Sequence, residues 1–227
     1  MYGEYDRSLG AKIVLTVIHA IAVCAAAWIL FGPGFGALFR WTGKTAAPDH
    51  ILTRALVFAC AAIYFARICY GTLHLYKRKV GYGEALGIGV WVVFIHALFA
   101  FFGRTNAKPF GWGQVAGILL YVLGSYFNTG SEYLRYRWKE NPGNKGRLYT
   151  GGLFRYSRHI NYFGDELLFL GYALIAGSLW GLAIPALMAF GFVFANIPML
   201  DRYLKKKYGG QFDTYAAHTR KFIPYVY

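Results

Sequence analysis

Charged residues are scarce in this sequence, and acidic ones most of all. Asp, Glu, Lys and Arg make up 15% of its 227 residues, and only ten of these are acidic, whereas soluble domains carry about 25% charged residues. So few charges cannot coat a soluble domain of this length, so lipid must cover part of the outside. Cysteine is scarce too. Cys24, Cys60 and Cys69 sit in apolar runs without C-x-x-C spacing, which argues against a disulfide framework or a zinc site and leaves small buried hydrophobes. No repeat, low-complexity tract or linker divides the chain. The first apolar run has no convincing cleavage site after it and reads as a span, not a removable signal.

What is present is apolar and aromatic, with 57% hydrophobic residues, 19% aromatic residues and a net charge of +14. Six stretches approach the roughly 20 apolar residues that a membrane helix needs. They run over 11–31, 51–76, 84–102, 112–134, 162–179 and 181–199, the last two joined tightly at Ser178–Gly181. Gly32–Pro33–Gly34 and Asn141–Pro142–Gly143 punctuate other connections. The expected fold is all-α, a polytopic transmembrane bundle of about six spans. Residues 1–227 form one integral membrane domain, with 1–110 on the substrate side and 111–227 on the cofactor side.

The cations are unevenly placed. Arg7 and Lys12, the Lys77–Lys79 connection, the segment after the fourth span and the tail together hold eighteen. Arg40, Lys44, Arg54, Arg104 and Lys108 lie on the other side, and Arg67 lies within a span. The positive-inside rule then puts both termini in the cytoplasm, whether the membrane is a bacterial inner membrane or the endoplasmic reticulum. Cations between apolar spans suit lipid headgroups or a polyanionic ligand rather than nucleic acid.

Polar residues at membrane depth are costly and functional by default. Asn128 and Glu132 are four apart and share a helix face, with Arg135 close to it. That stripe suits a carboxamide, a ribose or a phosphate, and it also suits pairing with itself. Asp165 and Glu166 open the fifth span, where one faces the bundle or both complement the helix dipole. Tyr64 and Arg67 share a face of the second span, where a phenol beside a guanidinium can donate a proton to a carbonyl oxygen or both can serve interhelical hydrogen bonds. His19 and His96 read as lone packing histidines and do not make a metal site. The run Arg155–Tyr162 is dense in donors and leads into a helix start, which attracts anions such as a diphosphate or headgroups.

The run Gly151-Gly152-Leu153-Phe154-Arg155-Tyr156-Ser157-Arg158-His159-Ile160-Asn161-Tyr162-Phe163-Gly164-Asp165 resembles a signature of the steroid 5-alpha-reductase and sterol reductase superfamily. That superfamily also includes the isoprenylcysteine carboxyl methyltransferases. Leu204, Tyr208-Gly209, Tyr215 and Phe222-Ile223-Pro224-Tyr225 are similar to its ending, and Asn128-x3-Glu132 resembles the N-x3-D stripe of the steroid enzymes. The resemblance covers about residues 120–227. It implies that Asn128, Glu132, Arg147, Asn161, Asp165 and Tyr203 hold NADPH, and that Arg158 and His159 match the R-H pair of the sterol-reductase branch at the same cofactor. Arg135 joins them by helix spacing alone. Tyr64 with Arg67 resembles the H-Y-x-x-R element, whose tyrosine polarises an enone carbonyl.

Some positions depart from the pattern. Ile160 replaces a proline, Asp165 a glutamate, Met199 a histidine and Ile63 the histidine before Tyr64. Asp49 is the nearest acid upstream of Tyr64. The function implied is NADPH-dependent reduction of a C=C bond in a lipid-like substrate, with membrane lipids as the other partner and no metal. The alternative is a methyltransferase using S-adenosylmethionine. Those enzymes carry a Glu-Glu pair where this chain has Leu200-Asp201. A non-catalytic lipid-binding or scaffold protein is a third reading, and it leaves the clustered polar residues at membrane depth without a role.

Overall fold

The computed structural model describes residues 8–46 and 50–227. Arg7, counted among the cations above, and Asp49 lie outside the described residues. The helices are α1 (Leu9–Phe31), α2 (Gly34–Phe39), α3 (Ile51–Tyr70), α4 (Tyr82–Thr105), α5 (Trp112–Ser125), α6 (Ser131–Glu140), α7 (Ile160–Ala176), α8 (Ala183–Gly191), α9 (Ile197–Tyr208) and α10 (Gly210–His218). There is no strand among the described residues. Among the described residues, four continuous runs are long and apolar enough to cross a membrane: Leu9–Phe31, Ile51–Leu75, Tyr82–Thr105 and Leu179–Tyr208.

The expected fourth and fifth spans take another form. Residues 112–140 are helical throughout, but a π-helical turn at Tyr126–Gly130 interrupts them and the last ten residues are strongly charged. Helix α7 has only 17 residues and carries Asp165 and Glu166. Two more π turns, Gly71–Leu75 and Phe192–Asn196, lie inside the second and fourth long runs. Such single-turn π segments are rare and frequent at functional sites.

The chain forms two compact units, residues 1–119 with 170–183 and residues 120–169 with 184–227. The divisions fall inside α5 and α7 and at the start of α8 rather than in linkers. In the first unit α1 lies along α4, and α3 packs against both. The sequence explains the stripe, because Ala11, Leu15, Ala22, Ala26 and Ile29 recur at helical spacing and are buried. Ile13, Val17, Ile21 and Trp28 occupy the opposite face and are exposed. A helix that is apolar on its outer face as well belongs in lipid. Gly89 admits the Ile18 side chain, since a Cβ there would lie 2.9 Å from Ile18 Cγ2. At the base of α1 the Lys12 amine donates to the Tyr76 carbonyl at 2.6 Å, and Ser8 Oγ accepts from the Val80 N–H at 2.9 Å.

Small residues let α5 and α7 meet at backbone distance. In the first unit a Cβ on Gly117 would lie 2.8 Å from the Gly171 oxygen. In the second unit one on Gly164 would lie 2.7 Å from the Gly124 oxygen. Close backbone approach through small residues is how membrane helices gain contact where lipid provides no hydrophobic drive. The second unit also holds α6, the turn at Gly152–Arg155, the α8–α9 run and α10, which packs on α9.

Candidate functional site

In the second unit the Asn128/Glu132 stripe faces the start of α7. Asn128 Nδ2 donates to the Asn161 carbonyl at 3.1 Å, and Asn161 Nδ2 donates to Glu132 Oε1 at 3.0 Å. The other Glu132 oxygen pairs with the Arg135 guanidinium. The π turn sets this register, and the Asn128 carbonyl accepts from Ser131 Oγ at 2.9 Å. Glu132 is 4% exposed, while Asn128 and Asn161 are half-buried and the Arg135 side chain is 34% exposed. The network therefore has a buried acid at its base and an accessible guanidinium at its rim. Four of the expected cofactor residues come together here.

Further cations gather at that rim. Lys139, one turn beyond Arg135, has its amine pushed down to about 8, first by desolvation and then by the Arg135 and Lys207 charges. The side chain is exposed, so solvent screening softens this crowding. Lys207 donates to the Tyr203 hydroxyl at 3.1 Å and lies over the Tyr203 and Tyr208 rings. This ties Tyr203 to the cationic side. Arg147 is exposed, just past the Pro142–Asn144 turn that the Asn141 side chain caps at 2.9 Å. Asp165 is half-buried on the first turns of α7.

Arg158 and His159 are placed differently. Arg158 Nη1 donates to the Ala216 and Thr219 carbonyls, each at 3.0 Å, and Nη2 to Asp201 Oδ2 at 3.0 Å. A carboxylate only accepts, so His159 Nε2 carries the proton that bonds Asp201 Oδ1 at 2.9 Å. Both residues are buried. The backbone N–H groups of Arg158 and His159 donate to the Arg220 and Lys221 carbonyls, and Ser157 Oγ donates to the Phe222 carbonyl at 2.7 Å. These expected anion donors are taken by the C-terminal tail and by Asp201. The physical reason is the cost of leaving buried donors unpaired, which the folded-back tail removes.

Tyr215 completes the clasp by donating to the Phe154 carbonyl at 2.5 Å, and burial pushes its ionisation well above the ordinary tyrosine range. Gly152 opens the turn that presents Phe154 and has φ +55°, a conformation that favours glycine. The role of Asp201 was not read from the sequence. Its signals in the sequence are its place opposite the Glu-Glu pair of the methyltransferases and its being the lone acid on an otherwise cationic helix.

The first unit carries a separate polar group. Tyr64 lies 5.3 Å from the His19 ring and 5.9 Å from the His96 ring, and the Arg67 guanidinium sits 5.8 Å from the Tyr64 ring centre. The two histidines, expected to be lone packing residues, are hydrogen-bonded to each other through Nε2 at 2.9 Å and are fully buried. Apart by 77 positions, they gave no sequence signal of pairing. Ile63, where the resembling element has histidine, faces outward and is 48% exposed. Among the described residues no three His, Cys, Asp or Glu side chains are grouped to hold a metal ion.

The chain is similar to known proteins. The family model described as "Protein of unknown function (DUF1295)" matches residues 87–219, more than half of the chain. The chain belongs to the DUF1295 family. It is also similar to a delta(14)-sterol reductase of Schizosaccharomyces pombe, 30% identical over 65% of this chain and 39% of that protein. The human 3-oxo-5-alpha-steroid 4-dehydrogenase 2 is 29% identical over 49% of this chain and 42% of its own length. A probable O-methyltransferase of Ustilaginoidea virens is 34% identical over 53% of this chain and 43% of that protein. The chain thus spans about half the length, or less, of these relatives. The expected resemblance to the steroid 5-alpha-reductase-like group is borne out.

Proposed function

We propose that this DUF1295 protein is a membrane-embedded reductase that uses NADPH to reduce a C=C bond conjugated to a carbonyl in a steroid-like or other lipid substrate. The observation that carries this reading is the half-buried Asn128–Asn161–Glu132–Arg135 network with Lys139 and Lys207 at its rim. The donor set fits a dinucleotide. A buried carboxylate accepts from ribose hydroxyls or a carboxamide, and flanking amides both donate and accept. Arg135, Lys139, Lys207 and Arg147 supply the positive charge that phosphates require. Asp165 and Tyr203 border this set.

Arg158 and His159 act as positioning residues. Clamped by Asp201, they hold the tail against the start of α7 and so fix where Asn161 points. When bound, the reduced nicotinamide supplies a hydride. Tyr64 supplies the acid, since negative charge grows on the carbonyl oxygen as the enone is reduced and an oriented phenol there lowers the barrier. In this reading α5–α6 and α7 complete a six-span bundle whose cation-rich segments and termini face the cytoplasm, and residues 1–110 and 111–227 serve the substrate and the cofactor respectively.

The methyltransferase relative favours a second reading, in which the same network holds S-adenosylmethionine. The charge argues against it, because that cofactor carries a sulfonium and an ammonium against one carboxylate, and its net positive charge would meet a crowded cationic rim. Loss of NADPH absorbance on adding a steroid enone to purified protein, with recovery of the saturated ketone, is the expected outcome. Methyl transfer to an acceptor, with no NADPH consumed, would overturn the reductase reading.

A further inference from the structure

Two neutral imidazoles carry two N–H protons between them. In the His19–His96 pair one proton lies in the Nε2–Nε2 bond at 2.9 Å. The donor ring then has a bare Nδ1, and the acceptor ring must carry its proton on Nδ1. Both Nδ1 atoms are buried and have no hydrogen-bond partner. The pairing therefore leaves one unsatisfied N–H donor and one unsatisfied lone pair inside an apolar helix bundle. Leaving buried hydrogen-bonding groups unpaired is costly. Packing alone would be served better by Leu or Phe at both positions.

The surroundings are flat and aromatic. Tyr64 and Phe65 lie 5.3 and 5.4 Å from the His19 ring, and Tyr172 lies 6.4 Å from the His96 ring. Tyr172 is itself held in place, because its hydroxyl donates to the Val57 carbonyl at 3.1 Å and its ring stacks on Phe99 at 4.1 Å. The histidines come from α1 and α4, Tyr64 and Phe65 from α3 and Tyr172 from α7, so four helices converge on one polar point.

We propose that the His19–His96 pair is the polar anchor of a lipid-binding site in the first unit. Its leftover Nδ1–H donates to the carbonyl oxygen of an oxo-lipid whose apolar body lies among Tyr64, Phe65 and Tyr172. This rests on the lipid-substrate part of the proposed function and not on the identity of the cofactor. It gives the histidines a positioning role, with Tyr64 remaining the acid.

The test pairs two ligands with a set of variants, using the full chain in lipid nanodiscs without cofactor. The probes are testosterone, a steroid enone, and the analogue that lacks its ring ketone. For wild type, testosterone should bind at least tenfold tighter than the analogue. In His19→Phe and His96→Phe that preference should shrink toward unity while analogue binding changes little. His96→Gln, which keeps a donor and an acceptor, should restore part of the preference. If either Phe variant fails to fold, the Gln variants at both positions carry the comparison. Equal losses for both probes, or an unchanged preference in the folded variants, would reduce the pair to a structural contact and overturn the proposal. NADPH binding measured on the same samples should not respond to these variants. Its absence from wild type would strike the reductase reading and leave the anchor standing.

Discussion

The two units bury different polar groups: the second centres on a network of paired charges, the first on a pair of imidazoles, with the Lys12 amine buried against the Tyr76 carbonyl. In the second unit full charges are buried, and backbone and counterions surround them. Arg158 meets two carbonyls and Asp201, while Glu132 meets Asn161 and Arg135. In the first unit neutral imidazoles are buried, and one nitrogen of each is left unpartnered. Charges at low dielectric must be matched wherever the chain can reach, because the penalty for leaving one unpaired is several kcal/mol. A neutral ring costs less to leave incomplete, so the fold can keep it for a ligand. The second unit thus gathers paired charges, and the first places one incompletely bonded polar point among aromatic rings.

Substitutions in each unit should separate these roles. The largest effect is expected from Tyr64→Phe, which removes the proposed acid. Turnover with an enone should fall by about 10²–10⁴-fold while NADPH binding stays as in wild type, checked by single-turnover kinetics beside a binding titration. Unchanged turnover would remove Tyr64 from catalysis. Asp201→Ala should come next, because it leaves the Arg158 guanidinium buried beside only its two carbonyls. A loss of about 3–5 kcal/mol is expected from breaking a buried pair, read as a lowered unfolding temperature, with Asp201→Asn milder. A surface-like loss under 1 kcal/mol would mean that the clasp is not what holds the tail.

Asn161→Ala should act on binding rather than on the fold. It removes one hydrogen bond to Glu132 and one side chain proposed to face the cofactor. NADPH affinity should drop by about tenfold with the unfolding temperature within a few degrees of wild type. The smallest effect concerns pH. Lys139 is held below the ordinary lysine value, at about 8, by desolvation and by its cationic neighbours. As pH rises through that value the amine loses its charge in the folded protein, so attraction for a phosphate weakens. The unfolded chain keeps the proton to higher pH, so Lys139 makes stability rise, not fall, over that window. NADPH affinity should therefore decline modestly above pH about 8, and Lys139→Met should flatten the decline. An identical profile in the variant would assign the decline to another group.

The sequence was informative where function is written in one continuous stretch. The Asn141–Pro142–Gly143 turn is capped as its residues indicate, and the stripe from Asn128 to Glu132 shares one helix face as its spacing indicates. Legibility fails where contacts bridge long gaps in the chain. Nothing near His19 marks His96 as its partner, and nothing near Arg158 marks Asp201. The donor-rich approach to α7 looked like an anion site because its donors were countable. The carbonyls that consume them come from residues 216–222, which only folding brings back. The count of long apolar helices also came out lower than six. The π turn after α5 and the acids in α7 divide apolar stretches that composition alone had joined.

Ligand selectivity in the second unit bears most directly on what this protein does. Purified protein, followed by thermal unfolding, should be titrated with NADPH, NADH, S-adenosylmethionine and S-adenosylhomocysteine. A ligand at a hundred times its dissociation constant stabilises by about 2.7 kcal/mol, which is readily seen. The expected result is the largest stabilisation with NADPH, less with NADH, and none with the two methyl-donor compounds. Stabilisation by S-adenosylmethionine and S-adenosylhomocysteine alone would contradict the account.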